Sequence, residues 1–168
     1  MLLKRILITL STTALVAACG SGTPTPSDSA TYSEVPYKII VSSMQSNSQQ
    51  VNWQSAAFSN ATDWETFWKT TYGDSATPPT VDFSKNNVVG AQLSGSSGCV
   101  SVQINDVSQN RQNTQVKYSY KYPINVGCTQ SIIDLTTFLT VPKQGDGLAS
   151  VSFIREKDIA YSAARERN

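Results

Sequence analysis

The sequence predicts a mainly β domain of the α+β class: an antiparallel sheet, a sandwich or an open barrel of about six to eight strands, with one amphipathic helix packed on it. Two-residue alternation of apolar and polar side chains recurs through the second half of the chain. Clear helical periodicity occurs in a single segment near the middle. Removal of an N-terminal leader, residues 1–18 of the 168, leaves 150 residues, which are enough for one hydrophobic core.

The domain is predicted to begin with two strands, at 37–44 and 51–58. A helix is predicted over 62–72, where Thr62 and Glu65 have the spacing of a capping box and the following glycine provides a stop. A single helical stripe carries the aromatic residues Trp64, Phe67, Trp68 and Tyr72. We expect this stripe to pack against a sheet, and a sugar-stacking platform is the alternative.

Later strands are predicted by period-two patterns at 88–93, 99–107, 116–122, 138–141 and 148–154. Gly145, Asp146 and Gly147 suit a tight hairpin turn between the last two strands. The end of the chain, 155–168, is charged and predicts a short helix or a frayed tail.

One strand presents an aromatic face, formed by Tyr118, Tyr120 and Tyr122. Because alternate residues of a strand point to the same side, these side chains lie together, opposite Lys117 and Lys121. We expect the tyrosines to form core contacts and cross-strand pairs. The alternative is a partly exposed tyrosine face that binds a ligand.

The N-terminus has the layout of a signal peptide, with Lys4 and Arg5 before an apolar stretch of about twelve residues. This stretch is shorter than the roughly 20 residues that cross a bilayer. The sequence Val-Ala-Ala-Cys at 16–19 resembles the bacterial lipobox, which predicts cleavage before Cys19 and a diacylglyceryl group on its sulfur, with fatty acyl chains such as palmitate. An ordinary signal peptide with an incidental cysteine is the alternative.

The predicted organisation is therefore a lipoprotein signal peptide at 1–18, a lipidated flexible tether at 19–35, one β-rich domain at 36–158 and a charged tail at 159–168. The predicted location is the bacterial cell envelope, with lipid on Cys19 holding the protein to a membrane. Gly20 follows the cysteine where an aspartate would favour inner-membrane retention, so by resemblance to Gram-negative lipoproteins the outer membrane is expected.

Composition excludes several classes of function. Loss of Lys4 and Arg5 with the leader lowers the basic residues from 13 to 11, against 12 acidic ones, so there is no excess of positive charge to bind nucleic acid. The chain has no histidine, which is the commonest general base and a usual zinc ligand. We therefore expect no catalytic set, no metal site and no cofactor.

The chain has three cysteines. With Cys19 assigned to lipid, export to an oxidising compartment favours a disulfide between Cys99 and Cys128. Two free thiols are the alternative. A redox role is disfavoured because no Cys-x-x-Cys spacing is present to lower a thiol pKa.

Four segments occur in an order that resembles the PrcB-like family, named for a lipoprotein subunit of a surface protease complex. They are DWETFW at 63–68, VDFSKNNVVG at 81–90, GCVSVQINDV at 98–107 and the Thr-x-Pro step at 140–142. The resemblance covers residues 60–155 and depends mainly on the Asp-Phe-Ser-Lys segment. It implies a non-catalytic module that stabilises or assembles a partner protease.

The chain departs from the family pattern at Gly98, Cys99 and Val100, where family members tend to have Gly-Gly-Tyr. A disulfide to Cys128 is expected to replace the packing of that tyrosine.

Three hypotheses of function follow. The first is a domain that binds another exported protein, with the loop Ser94, Gly95, Ser96, Ser97 and Gly98 as its contact surface, because loops on a rigid scaffold carry most recognition. The second is a glycan or small-ligand binder that uses the tyrosine face. The third is a hydrolase that uses Asp82 or a Ser84–Lys85 dyad. Neighbouring residues of a strand point to opposite faces, which argues against the dyad.

Overall fold

The computed structural model describes residues 31–45, 54–95, 98–111, 113–129, 133–145 and 147–162. Within these ranges the chain forms one helix and two sheets, which confirms the mainly β prediction. The elements are β1 Ser33–Glu34, β2 Lys38–Gln45, β3 Ser55–Phe58, α1 Ala61–Tyr72, β4 Asn86–Gly95, β5 Ser101–Asn110, β6 Asn113–Ile124, β7 Ile133–Pro142, β8 Ser150–Arg155 and β9 Ile159–Ser162.

The two sheets form a sandwich. The first has the order β1-β5-β6-β8, with β9 also paired to β6, and the second has the order β2-β7-β4-β3. Pairing is antiparallel except for β8 and β9, which both run parallel to β6. Among the described strands the sheets do not close into a barrel.

The main core lies between the sheets and follows from the alternation of each strand. The inward positions of β5 and β6 meet those of β4 and β7, and the buried residues include Val89, Ile104, Val107, Val116, Leu135 and Leu139. Successive residues of a strand point to opposite faces, so a strand buried on one side contributes every second residue.

A second core lies on the far face of the second sheet, under α1. Trp64 and Trp68 pack there against Phe58, Val88 and Phe138, which confirms the predicted packing of the aromatic stripe. The Phe138 ring covers Gly90, its cross-strand neighbour, and a Cβ atom on Gly90 would overlap that ring.

The predicted capping box of α1 is wrong by two residues. Asn60 is the N-cap, and its side-chain oxygen accepts a hydrogen bond from the Asp63 amide at 2.9 Å, while its side-chain nitrogen donates to the Asp63 carboxylate at 2.7 Å. Glu65 instead pairs with Lys69 at 2.8 Å, one turn along the helix. The helix ends at Gly73 as predicted, with a φ of 99°.

The predicted hairpin between the last two long strands is also wrong. The strand that follows Gly147 joins the other sheet, where β8 pairs in parallel with β6. Its inward residues Val151 and Phe153 pack against the core between the sheets. Packing of these two side chains against the core favours pairing of β8 with β6 over the hairpin that the glycines predicted. Asp146 lies outside the described residues.

The first sheet includes residues from both segments that were predicted as tether and tail. Ser33 and Glu34 pair with β5, and the Val35 amide donates to the Val107 carbonyl at 2.9 Å. At the other end, 159–162 forms β9 in place of the predicted helix or frayed tail. The leader at 1–18, Cys19 and the tether before Thr31 lie outside the part of the chain that the structure describes.

Candidate functional site

Cys99 and Cys128 form the predicted disulfide, with their Cα atoms 5.6 Å apart. The bond joins the segment just before β5 to the loop just after β6, and it contradicts the alternative of two free thiols. Beside it, the Gly98 amide donates to the Thr129 carbonyl at 3.0 Å. These two links fix the loops at one end of the first sheet, which we name the disulfide end.

The predicted contact loop adjoins this end. Ser94 and Gly95 are the last residues of β4, and Gly98 is next to the disulfide. The Ser94 hydroxyl donates to the Asp134 carboxylate across the strand pair at 2.9 Å. Ser96 and Ser97 lie outside the described residues.

Two aliphatic side chains are exposed at the disulfide end. Ile124 ends β6 and Val126 lies in the loop that leads to Cys128, and the two are 45% and 47% exposed. Sequence analysis did not select either residue. The available signal was the presence of apolar residues in a Pro-to-Gly segment directly before a cysteine.

The tyrosine face points into the sandwich. Tyr118 and Tyr120 are only 8% and 4% exposed, and their rings meet edge to face with centroids 5.7 Å apart. Tyr122 is half-buried and extends the row, 6.2 Å from Tyr120. This confirms the expected core packing of the first two rings.

An open cleft of about 440 Å³ lies beside these tyrosines, between the two sheets. We name it the intersheet cleft. Its aromatic wall is formed by β6 and β8, and its polar wall by residues of β4, β7 and the start of β3; six of the lining residues are Tyr118, Tyr120, Phe153, Gln54, Ser94 and Asp134. The sequence analysis did not predict this cleft.

Tyr120 connects the two walls of the intersheet cleft. Its hydroxyl donates to the Ser94 carbonyl at 2.9 Å, so a side chain of the first sheet bonds the backbone of the second. The Arg155 guanidinium carbon lies 4.6 Å from the centre of the Tyr120 ring. Arg155 is itself held by two hydrogen bonds to Asp158, at 3.1 and 2.6 Å, and these lower the pKa of the Asp158 carboxyl.

Burial, reinforced by the neighbouring Tyr118, raises the pKa of Tyr120 to about 12 from its usual 10.0. Below pH 10 the phenol is protonated in both the folded and the unfolded chain. Between pH 10 and 12 the unfolded chain releases this proton while the folded one retains it, so we expect stability to fall as pH rises through this range. Chemical unfolding at a series of pH values measures this loss.

Tyr120→Phe provides the matched comparison, because it keeps the ring and removes the ionisable hydroxyl. Its stability is expected to depend less on pH between 10 and 12, and its ultraviolet titration is expected to lack one late-ionising tyrosine. Identical titration curves for the two proteins would contradict the assignment.

The residues of the hydrolase hypothesis form an exposed turn before β4. The Asp82 carboxylate accepts hydrogen bonds from the Ser84 amide at 3.0 Å and from the Ser84 hydroxyl at 2.5 Å, which lower the pKa of Asp82. Lys85 lies 3.6 Å from the other Asp82 oxygen. The Ser84 hydroxyl thus donates to a carboxylate, whereas a Ser–Lys dyad requires it to donate to the amine.

Among the residues that the structure describes, no group of three or more His, Cys, Asp or Glu side chains could hold a metal ion. None of the helical structure in these ranges is long and apolar enough to cross a membrane. Comparisons of the chain with family models, curated proteins and solved structures found no match.

Proposed function

We propose that this protein is an exported lipoprotein whose β-sandwich binds another exported protein through its disulfide end. The observation that carries the proposal is the exposure of Ile124 and Val126 beside the Cys99–Cys128 bond. Single exposed aliphatic residues are common on protein surfaces, but two within three positions, one at the end of a strand and one in the crosslinked loop that follows, provide an apolar contact at a fixed place.

The crosslink favours binding because it lowers the cost of ordering the loop. A loop that becomes rigid only on binding loses conformational freedom at that moment, which reduces the affinity. Here strand pairing holds Ile124 at the end of β6, and the disulfide and the Gly98–Thr129 hydrogen bond hold the backbone that follows Val126, before a partner arrives. Burial of each aliphatic side chain from half exposure then contributes about 1 kcal/mol.

A protease of the cell envelope is the partner that we propose. The resemblance of residues 60–155 to the PrcB-like family supports this choice, since its members associate with a protease without contributing catalytic groups. The domain would then act as an accessory or stabilising subunit.

Lipid on Cys19 is the proposed membrane attachment, and the signal-peptide layout with its Val-Ala-Ala-Cys sequence supports it. A lipid-anchored protein meets its partners at the membrane surface, where their local concentration is raised. A modest interface is therefore enough for binding there. The proposed location is the bacterial cell envelope, and in a Gram-negative cell it is the outer membrane.

Site-specific photocrosslinking in cells tests the proposal. Benzoylphenylalanine at position 126 of the full-length protein is expected to give an adduct with one exported protein, identified by mass spectrometry. The same group at position 154 is the matched control. Ile154 is 40% exposed on β8, and its strand partner Lys117 lies about 20 Å from Ile124 along β6.

Ile124→Asp is expected to reduce the adduct at position 126 by about tenfold or more, because a carboxylate is costly to bury in an apolar contact. Equal adducts at positions 126 and 154, or none at 126, would contradict the proposed interface. An adduct with an exported protein that is not a protease would support the interface and overturn the protease assignment.

A further inference from the structure

We propose that the intersheet cleft is a binding site for a neutral saccharide. This site is separate from the protein contact proposed at the disulfide end, and its evidence does not depend on that contact.

The cleft lies beside the part of β4 that extends beyond its described pairing with β3. β3 pairs with β4 only from Phe58 to Ser55, opposite Val88 to Ala91, whereas β4 continues to Gly95. The described contact between the two continues one residue further, where the Gln92 amide donates to the Gln54 carbonyl at 3.3 Å, and the cleft lies beside the next β4 residues, Leu93 and Ser94. The Tyr120 hydroxyl crosses this space to the Ser94 carbonyl, which holds the two walls in place.

The size and chemistry of the cleft suit a small polar ligand. Its volume of about 440 Å³ falls within the range of roughly 300–1,000 Å³ that is usual for ligand sites. The polar wall presents an amide from Gln54, a hydroxyl from Ser94 and a carboxylate from Asp134. The opposite wall presents the rings of Tyr118 and Phe153. A sugar ring has this same division, with hydroxyls around its rim and C–H groups on its faces.

The charge of the lining selects a neutral saccharide. Among the described residues that line the cleft, Asp134 is the one that carries a charge, and its carboxylate repels phosphates and uronic acids. A carboxylate only accepts hydrogen bonds, and Ser94 donates to its Oδ1 atom, which leaves acceptor capacity for ligand hydroxyls. Arg155, the cation beside Tyr120, is paired with Asp158 by two hydrogen bonds and is not among the lining residues.

Binding of defined trisaccharides to the full-length protein, purified in a detergent without a sugar headgroup, tests the proposal. The probes are N-acetylchitotriose, cellotriose, maltotriose and, as the anionic comparison, trigalacturonate. Saturation-transfer NMR detects contact and titration calorimetry gives the dissociation constant. At least one neutral trisaccharide is expected to bind, and to bind about tenfold or more tightly than trigalacturonate.

Asp134→Asn keeps the shape of the side chain and removes its charge. It is expected to weaken binding of the neutral trisaccharide by about tenfold. Asp106→Asn is the matched control, because Asp106 pairs with Lys117 at 3.7 Å and does not line the cleft. Phe153→Leu alters the apolar wall of the cleft. It is expected to weaken binding of the neutral trisaccharide independently of the Asp134 substitution.

Absence of binding by every neutral trisaccharide would overturn the proposal. Unchanged affinity in Asp134→Asn, or tighter binding of trigalacturonate, would also overturn it. The photocrosslinking at position 126 is unaffected by any of these outcomes, so the two proposals fail separately.

Discussion

Replacement of Phe138 by alanine is expected to lower the free energy of unfolding by about 3–5 kcal/mol, the usual cost of removing a buried aromatic ring. Phe138 has no exposed surface, and its ring centre lies 4.9 Å from Trp64 and 6.0 Å from Trp68. The ring also covers Gly90, which has no side chain to fill the space. The variant therefore leaves a cavity where the helix meets the sheet.

Urea unfolding followed by tryptophan fluorescence measures this loss, since Trp64 and Trp68 report directly on the site. Tyr32→Ala is the control: it removes an aromatic ring that is 39% exposed and belongs to neither core, and its effect is expected to stay below about 1 kcal/mol. A loss of less than 1 kcal/mol for Phe138→Ala would show that the helix contributes little to the stability of the sandwich.

Replacement of both Cys99 and Cys128 by serine is expected to cost about 3–4 kcal/mol. The two residues are 29 positions apart, and opening a loop of this length restores conformational freedom to the unfolded chain. The double variant keeps the strand pairing on either side of the bond, so it is expected to fold at a lower denaturant midpoint.

A reducing agent provides the internal control for the disulfide. It is expected to shift the unfolding midpoint of the wild-type protein toward that of the Cys99→Ser/Cys128→Ser variant and to leave the variant unchanged. A midpoint of the variant within experimental error of the oxidised wild type would contradict the expected contribution of the crosslink.

Local patterns in the sequence predicted the features that depend on neighbouring residues. The period of the aromatic stripe predicted α1, and Gly73 predicted its end, because both features depend on residues that are close together in the sequence. The start of the helix was misplaced because Asn60–Asp63 and Thr62–Glu65 offer the same cap spacing, and sequence alone does not rank them.

Features that depend on distant parts of the chain were not predicted. Gly145 and Gly147 favour a reversal, but the partner of β8 is decided by burial of Phe153 in a core to which β6 contributes. The disulfide was predicted from the number of cysteines and from the expectation of export to an oxidising compartment. By contrast, the intersheet cleft is lined by residues from strands that are distant in the sequence, and the exposure of Val126 depends on the same tertiary arrangement, so no local pattern predicts either feature.

The pairing of β1 determines which way the sandwich faces. Ser33 lies opposite Gln109 at one end of β5, whereas Cys99 precedes the other end, about 30 Å away along the strand. If Cys19 is held in a bilayer, as proposed, the polypeptide enters the domain at the pole opposite the disulfide. Ile124 and Val126 would then lie at the end of the domain away from the membrane, and the proposed partner would be met at a height set by the length of the sandwich added to that of the proposed tether.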